Sequence, residues 1–284
     1  MLSLLSLGSG SSGNSALVYS ENSYILVDAG LSAMQLKKRI TESGLDPQKL
    51  DAVLITHEHS DHIRGLEVFS KTINVPVYCN SLTHEAIVPT NRSVKAWNIF
   101  NSGEPFMVGD INVCGFSVMH DAVDPLGFIF KQNEKTLGFV SDVGYVTQLL
   151  LESIRDVHTL FIESNYDEIL LQNDNRRPWS LKQRIGSRHG HLSNKQTAEL
   201  VGSLAEAGGL KSVILGHLSN DCNSPEVARA EIILALSNRG INGVEVSCAS
   251  RSETSGPFII ETNINEEEGK NLGDYTQEEF TLFS

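Results

Sequence analysis

Short runs of β-branched and aromatic residues alternate along this chain with longer segments in which apolar residues recur every three or four positions. The first pattern is typical of buried strands and the second of helices that bury one face. The strand-like runs are residues 24–27, 52–55, 76–78, 111–118, 127–130, 137–140, 159–162 and 212–215. The helix-like segments are residues 33–43, 63–70, 82–87, 146–154, 194–207 and 226–237. This alternation predicts an α/β protein made of layered sheets and helices.

The order of the segments also predicts strand direction. The strand-like runs between residues 111 and 140 follow one another without helices, so part of the sheet is expected to be antiparallel. No glycine-rich or proline-rich linker divides the chain. We therefore expect one domain at residues 1–262, followed by an acidic tail at residues 263–284.

Charge and hydropathy exclude several classes of protein. The chain carries 22 basic and 35 acidic residues, a formal net charge of −13, so nucleic acid cannot bind over its whole surface, although a local basic channel is allowed. No apolar run approaches the length of about 18 residues that spans a membrane. The apolar start Met1–Leu7 lacks a basic flank, so no signal peptide is expected. Four separated cysteines without a Cys-x-x-Cys pair favour a cytoplasmic location.

The strongest chemical signal is the hexapeptide His57–His62, which reads HEHSDH and directly follows a strand-like run. His57 and His59, two residues apart on extended backbone, point to the same side. Asp61 and His62 enter the next turn and can aim at a second point. Three imidazoles and one carboxylate so close together suit zinc, manganese or iron. The alternative is a histidine-rich surface turn.

One turn cannot supply all the ligands of two metal ions, so the others should follow further strand-like runs. His120, Asp142 and His217 each stand directly after such a run. Each is weak evidence alone, because a single polar residue after a strand is common in turns. Together with the hexapeptide they supply the number of ligands that a two-metal site needs.

These residues, preceded by Asp28 after another strand-like run, occur in the order found in the metallo-β-lactamase-fold hydrolases, which the chain resembles over about residues 1–262. The resemblance implies an αβ/βα four-layer sandwich, with two mixed sheets flanked by helices and the site at one edge. It implies two divalent ions (Zn²⁺, Mn²⁺ or Fe²⁺). One ion would bind His57, His59 and His120.

The second ion would bind Asp61, His62 and His217, and Asp142 would bridge the two. The resemblance further implies that Asp28 orients the histidine turn without touching a metal ion. Asp28 could otherwise simply end a strand.

Two further features favour phosphodiesters among the substrates of this superfamily. A bridging carboxylate such as Asp142 holds two ions close, which suits displacement at phosphorus. His191 resembles the extra histidine of the tRNase Z and phosphodiesterase branches, which protonates the leaving oxygen or steadies the phosphate. The alternative for His191 is a packing role in a helix-capping turn. In the mechanism that we expect, Asp61 also accepts a proton from the attacking water.

A glycine- and serine-rich loop at residues 8–14 has the spacing G-x-G-x-x-G. It is not a dinucleotide-binding fingerprint, because a strand-like run rather than a helix follows it. Such a loop can still direct N–H and hydroxyl groups towards a phosphate. The predicted substrate-binding residues of this loop are Ser9, Ser11, Ser12 and Asn14. A plain tight loop is the alternative.

A basic segment at residues 172–195 holds six lysines and arginines and one acid, a local charge of +5. We expect its arginines to grip a nucleic-acid backbone and Trp179 to stack on a base. The arginines predicted to bind substrate are Arg176, Arg177, Arg184 and Arg188. The alternative is an ordinary solvated basic helix.

A narrower resemblance rests on residues 7–15, the stretch from His120 to Pro125, and residues 141–144, 163–167 and 190–193. These stretches resemble the YycJ/WalJ (VicX) group, regarded as metal-dependent 5′-to-3′ DNA exonucleases encoded beside a cell-wall two-component system. The resemblance implies DNA ends with a 5′-phosphate as substrate, and no membrane partner. Two alternatives stay open: a phosphodiesterase for cyclic or short diesters, and a non-catalytic metal-binding partner of the signalling system. Metal identity and oligomeric state are left open.

Overall fold

Two seven-stranded sheets organise the computed structural model, which describes residues 1–262 of the chain. The first sheet has the order β14-β1-β2-β3-β4-β5-β6. Its strands are β1 (Ser3–Gly8), β2 (Ser15–Tyr19), β3 (Tyr24–Val27), β4 (Ala52–Leu54), β5 (Val77–Cys79), β6 (Trp97–Ile99) and β14 (Ser255–Ile259). Strands β14 to β3 are antiparallel neighbours, and β3 to β6 are parallel.

The second sheet has the order β13-β12-β11-β10-β9-β8-β7. Its strands are β7 (Phe106–Val108), β8 (Ile111–Ser117), β9 (Leu126–Gln132), β10 (Lys135–Val140), β11 (Thr159–Glu163), β12 (Ser212–Gly216) and β13 (Glu245–Cys248). Strands β7 to β10 are antiparallel and β10 to β13 are parallel. The antiparallel pairing expected between residues 111 and 140 is confirmed.

Helices connect the parallel strands. The helices of the described residues are α1 (Ala33–Glu42), α2 (Ser60–Ile63), α3 (Leu66–Ser70), α4 (Ser81–Ile87), α5 (Gln148–Ser153), α6 (Glu168–Asn173), α7 (Trp179–Ile185), α8 (Asn194–Glu206) and α9 (Pro225–Asn238), with a 3₁₀ turn at Pro47–Lys49. None of them is long and apolar enough to cross a bilayer. The tail predicted at residues 263–284 lies outside the described residues and stays a prediction.

In the described residues, three large apolar layers fill the spaces between four layers of secondary structure. Successive residues of β3 show how a strand buried on both faces serves two layers, because side chains alternate across a sheet. Leu26 packs with Leu36 of α1, whereas Val27 packs between the sheets with Phe128 of β9. The third layer joins the second sheet to α5, α8 and α9. The predicted sandwich of two mixed sheets flanked by helices is confirmed.

The helix predicted at residues 63–70 is interrupted, because residue 63 ends α2 and α3 begins only at Leu66. The break falls at Gly65, whose amide donates to the Ala29 carbonyl over 2.7 Å. A Cβ at Gly65 would lie 2.0 Å from the Leu31 carbonyl oxygen, so the chains approach too closely for any side chain. The contact holds the junction between α2 and α3 against the chain that leaves β3.

Candidate metal centre

The ends of six strands place acidic and imidazole side chains at one edge of the two sheets. His57 follows β4, His120 follows β8, Asp142 follows β10 and His217 follows β12. Asp28 and Glu163 stand at the ends of β3 and β11. The parallel strands end at a common edge, and β8 runs in the same direction as β10 because β9 is antiparallel to both. The fold thereby gathers side chains that are far apart in the sequence.

Three imidazoles surround Asp142 on one side. Donor atoms of His57, His59, His120 and Asp142 lie within 4.8 Å of one another. The Asp142 Oδ2 atom is 3.7 Å from Nε2 of His57 and 3.6 Å from Nε2 of His120. His59 is half-buried, and its Nε2 atom lies 3.2 Å from the Asp121 carbonyl oxygen.

The donor atoms of this group fit a metal ion. The Nε2 atoms of His57 and His120 are buried and have no hydrogen-bond partner among the described residues. Buried polar atoms without a partner are costly and uncommon, and a cation would satisfy both lone pairs. Burial and the neighbouring His62 hold the pKa of His57 well below its usual range, and burial also lowers the pKa of His120. Neutral imidazoles of this kind are the form that binds metals.

A second group shares Asp142. Donor atoms of Asp61, His62 and Asp142 lie within 4.8 Å of one another. The Nε2 atom of His62 is 3.3 Å from Asp142 Oδ2 and 3.6 Å from Asp61 Oδ2. The backbone of Asp61 is pressed against Gly30, where a Cβ would lie 1.6 Å from the Asp61 carbonyl oxygen. The turn can take this position only because residue 30 is glycine.

Asp28 fixes the orientation of His62 from behind. Its Oδ2 atom accepts from Nδ1 of His62 at 2.7 Å and from the Thr56 hydroxyl at 2.8 Å. Burial lowers the pKa of His62, but the carboxylates of Asp142 and Asp28 outweigh burial and raise that pKa. Asp28 therefore holds Nδ1 of His62, a predicted metal ligand, and leaves Nε2 on the side of Asp142; its predicted orienting role stays a prediction.

His217 contacts Asp142, which also belongs to the group of Asp61 and His62. Its Nδ1 atom contacts Asp142 Oδ1, and its ring centroid is 6.3 Å from that of His62. Donor atoms of Asp142, Glu163, His191 and His217 form a third group within 4.8 Å. The predicted ligands therefore converge on Asp142, and their division between two ions stays a prediction.

Glu163 is a site residue that the sequence analysis missed. It is fully buried, and its carboxylate accepts from Nδ1 of His191 at 2.9 Å and from the amides of Val143 at 2.7 Å and Leu192 at 3.0 Å. Burial lowers the pKa of His191, but Glu163 outweighs burial and raises that pKa to about 9. An acid at the end of the otherwise uncharged strand β11 was the available sequence signal.

The glycine-rich loop packs against the cluster. The Nδ2 atom of Asn14 lies 3.1 Å from Asp61 Oδ2, and its Oδ1 atom accepts from the Gly10 amide at 2.8 Å. Ser9 is buried and its hydroxyl accepts from the His217 amide at 2.8 Å. Asn14 therefore contacts the turn at residues 57–62, and Ser9 contacts the backbone at His217. Ser11 and Ser12 are exposed, and substrate binding by the loop stays a prediction.

The basic segment differs from the expected open run of positive charge. The guanidinium groups of Arg176 and Arg177 both pair with Asp174 and Asp221. This pairing joins the chain before α7 to the loop that follows His217. The predicted contact of these arginines with a nucleic acid thus competes with a structural role.

The other two predicted arginines lie closer to the cluster. Arg184 pairs with Asp121, whose Oδ1 atom is 3.3 Å from Nε2 of His120. Arg188 stacks on the ring of Tyr145. Trp179, expected to stack on a base, is 65 % exposed.

Comparisons with known proteins agree with this geometry. The model of the Beta-lactamase superfamily domain matches residues 23–217. The chain is 35 % identical over 240 residues to the Exodeoxyribonuclease YycJ of Bacillus anthracis, covering 82 % of this chain and 89 % of that protein. It is 36 % identical over 260 residues to the Exodeoxyribonuclease WalJ of Streptococcus pneumoniae, covering 89 % and 95 %.

Among solved structures, the metallo-β-lactamase fold protein YhfI of Bacillus subtilis superposes with a TM-score of 0.68 at 18 % identity, covering 90 % of this chain and 100 % of that one. At this identity the likeness supports the fold alone. The domain match and the two relatives show membership more directly, because they extend over most of the chain. The chain belongs to the β-lactamase superfamily, with the metallo-β-lactamase fold, and to the family of the YycJ and WalJ exodeoxyribonucleases.

Proposed function

We propose that this protein is a two-metal phosphodiester hydrolase that removes nucleotides from the 5′ ends of DNA. The observation that carries the proposal is the convergence of three groups of possible ligands on Asp142, with the buried Nε2 atoms of His57 and His120 left without hydrogen-bond partners among residues 1–262. The names of the relatives support DNA as the substrate. The proposal includes zinc, manganese or iron as the metal and a cytoplasmic location.

The ions would supply Lewis-acid stabilisation of the phosphoryl oxygens and a more acidic attacking water. Asp61 is only partly buried, with 21 % of its side chain exposed, so one of its oxygens can accept the proton of that water. Asn14 restrains this carboxylate, which favours one orientation during the reaction. A catalytic carboxylate that is already held in one orientation is what catalysis by proximity requires.

His191 would assist the leaving oxygen. Its Nδ1 atom is held by Glu163, which leaves Nε2 of a charged imidazole for the substrate side. The side chain is 22 % exposed, and its ring centroid is 5.2 Å from that of His120 and 5.1 Å from that of His217. A proton donor beside the predicted ligands is the arrangement that general acid catalysis needs.

A second candidate function is hydrolysis of cyclic or short diesters. The observation that favours it is the ion pairing of Arg176, Arg177 and Arg184 with nearby aspartates, which weakens the positive path expected for a long strand. Since the side chains of Arg176 and Arg184 are exposed, their ion pairs are weak and these two arginines can still turn to phosphates, whereas Arg177 is more buried. The two functions therefore differ in how activity depends on substrate length.

The test uses purified protein loaded separately with Mn²⁺ and Zn²⁺. It is incubated with end-labelled, 5′-phosphorylated DNA and RNA of several lengths, and with a cyclic dinucleotide. Mononucleotides released progressively from the 5′ end of DNA are expected. Efficient cleavage of the cyclic or short diesters, with no dependence on length, would instead establish the second function.

A further inference from the structure

Tyr145 and Arg188 form a stacked pair beside the predicted ligands. The guanidinium carbon of Arg188 lies 4.7 Å from the centroid of the Tyr145 ring. Tyr145 stands three residues after Asp142 and pairs across a β-bridge with Met119, the neighbour of His120. Stacking on an aromatic face holds a guanidinium in place while its N–H groups stay free at the edge.

The backbone beneath the pair is held rigidly. A Cβ at Gly144 would lie 2.6 Å from both the Arg188 carbonyl oxygen and the Gly190 amide nitrogen. The Gly190 carbonyl accepts from Nδ1 of His120 at 2.9 Å, and the His191 amide donates to the Ile185 carbonyl at 2.8 Å. The segment that carries Arg188 is thus tied directly to His120 and His191. Preorganisation of this kind reduces the entropy lost on binding.

The charge of Arg188 also sets it apart from the other arginines of the basic segment. Arg176, Arg177 and Arg184 all pair with aspartates. Among residues 1–262, no carboxylate pairs with Arg188, and its guanidinium makes no hydrogen bond to the protein. An exposed, positioned and uncompensated guanidinium matches the planar geometry of a phosphate, which it can bind through two N–H groups.

We propose that Arg188, positioned by Tyr145, binds the substrate phosphate that neighbours the hydrolysed one. The proposal rests on the proposed function, because it assumes a strand with at least two phosphates. Under this proposal, Arg188 favours a nucleic-acid strand over a substrate that has a single phosphodiester. Tyr145 acts through Arg188 and is a positioning residue.

The test measures kcat and KM of the metal-loaded protein at several salt concentrations. The substrates are a 5′-phosphorylated single strand and bis(p-nitrophenyl) phosphate, which has one phosphate. For the strand, Arg188→Ala is expected to lower kcat/KM about ten- to a hundredfold, mainly through KM, as for a lost charged hydrogen bond. The dependence of log(kcat/KM) on log salt should flatten by about 0.7. Turnover of the small diester should stay close to that of the unmodified protein.

Further variants separate charge from geometry. Arg188→Lys should keep the salt dependence but raise KM, because lysine lacks the planar fork. Tyr145→Phe should behave like the unmodified protein, whereas Tyr145→Leu should lose a few-fold in kcat/KM and cause no further loss when combined with Arg188→Ala. The matched control is Arg155→Ala, which removes an exposed arginine in the turn after α5 whose carboxylate partner in the described residues is Glu152. It should leave both substrates unaffected.

Three results would overturn the proposal. The first is equal loss on strand and small diester with Arg188→Ala, which would show that the residue orders the site. The second is strand kinetics indistinguishable from those of Arg155→Ala while the unmodified protein degrades the strand, which would remove this proposal and keep the proposed function. The third is turnover of the small diester by the unmodified protein without cleavage of any strand, which would remove both.

Discussion

The Nδ1 atom of His191 lies 2.9 Å from Oε2 of Glu163, a carboxylate with no exposed surface. A buried carboxylate needs several hydrogen-bond donors, and the amides of Val143 and Leu192 also donate to Glu163. The pairing fixes both the charge and the ring orientation of His191. This relationship supports the proposed role of His191 as a proton donor.

The first prediction concerns this dyad. We expect His191→Ala to keep its metal ions and to lose about 10²–10⁴-fold in turnover of DNA, the range for general acid catalysis. An activated aryl diester, whose leaving group needs less protonation, should suffer less. The measurements are steady-state kinetics and metal analysis. The control is His189→Ala, an exposed neighbour; equal losses on both substrates would contradict the role.

The second prediction concerns the metals. Purified active protein should contain close to two ions per chain, because the seven predicted ligands are distributed over three groups that share Asp142. We expect Asp142→Ala to lower both metal content and turnover. The substitution removes the predicted shared ligand and the negative charge that lies between the neighbouring imidazoles. Elemental analysis alongside activity checks this. One ion or none in a fully active preparation would contradict the two-metal site.

The third prediction separates substrate binding from loop fixation at Arg176 and Arg177. If both contact DNA, the double alanine variant should flatten the salt dependence of DNA binding by about one to two units on a log–log plot. If they serve only the pairs with Asp174 and Asp221, the variant should lower the melting temperature and leave the salt dependence unchanged. Binding titrations and thermal melts of the same preparations distinguish the outcomes.

The fourth prediction concerns acid stability. Burial raises the pKa of Asp110, but hydrogen bonds from Ser20, Ser23 and Gln132 outweigh burial and lower that pKa to about 2. A carboxyl group with a lower pKa when folded stabilises the protein above its ordinary pKa of 3.8, and this stabilisation is lost as pH falls towards about 2.

We therefore expect Asp110→Asn to lower the free energy of unfolding at neutral pH. The gap to the unmodified protein should narrow as the pH falls from about 4 to about 2. Urea titrations at several pH values measure this difference, with the exposed Asp156→Asn as the control. A gap that does not depend on pH would show that the carboxylate charge is not responsible.

Local sequence patterns were sufficient to predict the class of fold and the candidate ligands. The spacing of apolar residues differs between strands and helices, so the two can be distinguished in the sequence. Polar residues that directly follow apolar runs mark the ends of strands. Asp28 and the hexapeptide were identified in this way. The helix break at Gly65 was missed because it depends on the contact with Leu31, which is distant in the sequence.

The contacts between distant side chains could not be predicted from the sequence, because they depend on how the elements pack. Glu163 and His191 are 28 residues apart, and their contact depends on how β11 packs beside the turn before α8. The pairing of Arg177 with Asp221, 44 residues away, likewise depends on the fold. Local composition gives the charge of a segment, but it carries no information on the partners that neutralise that charge. For this reason the sequence predicted a basic segment, but only the structure shows that three of its arginines pair with aspartates.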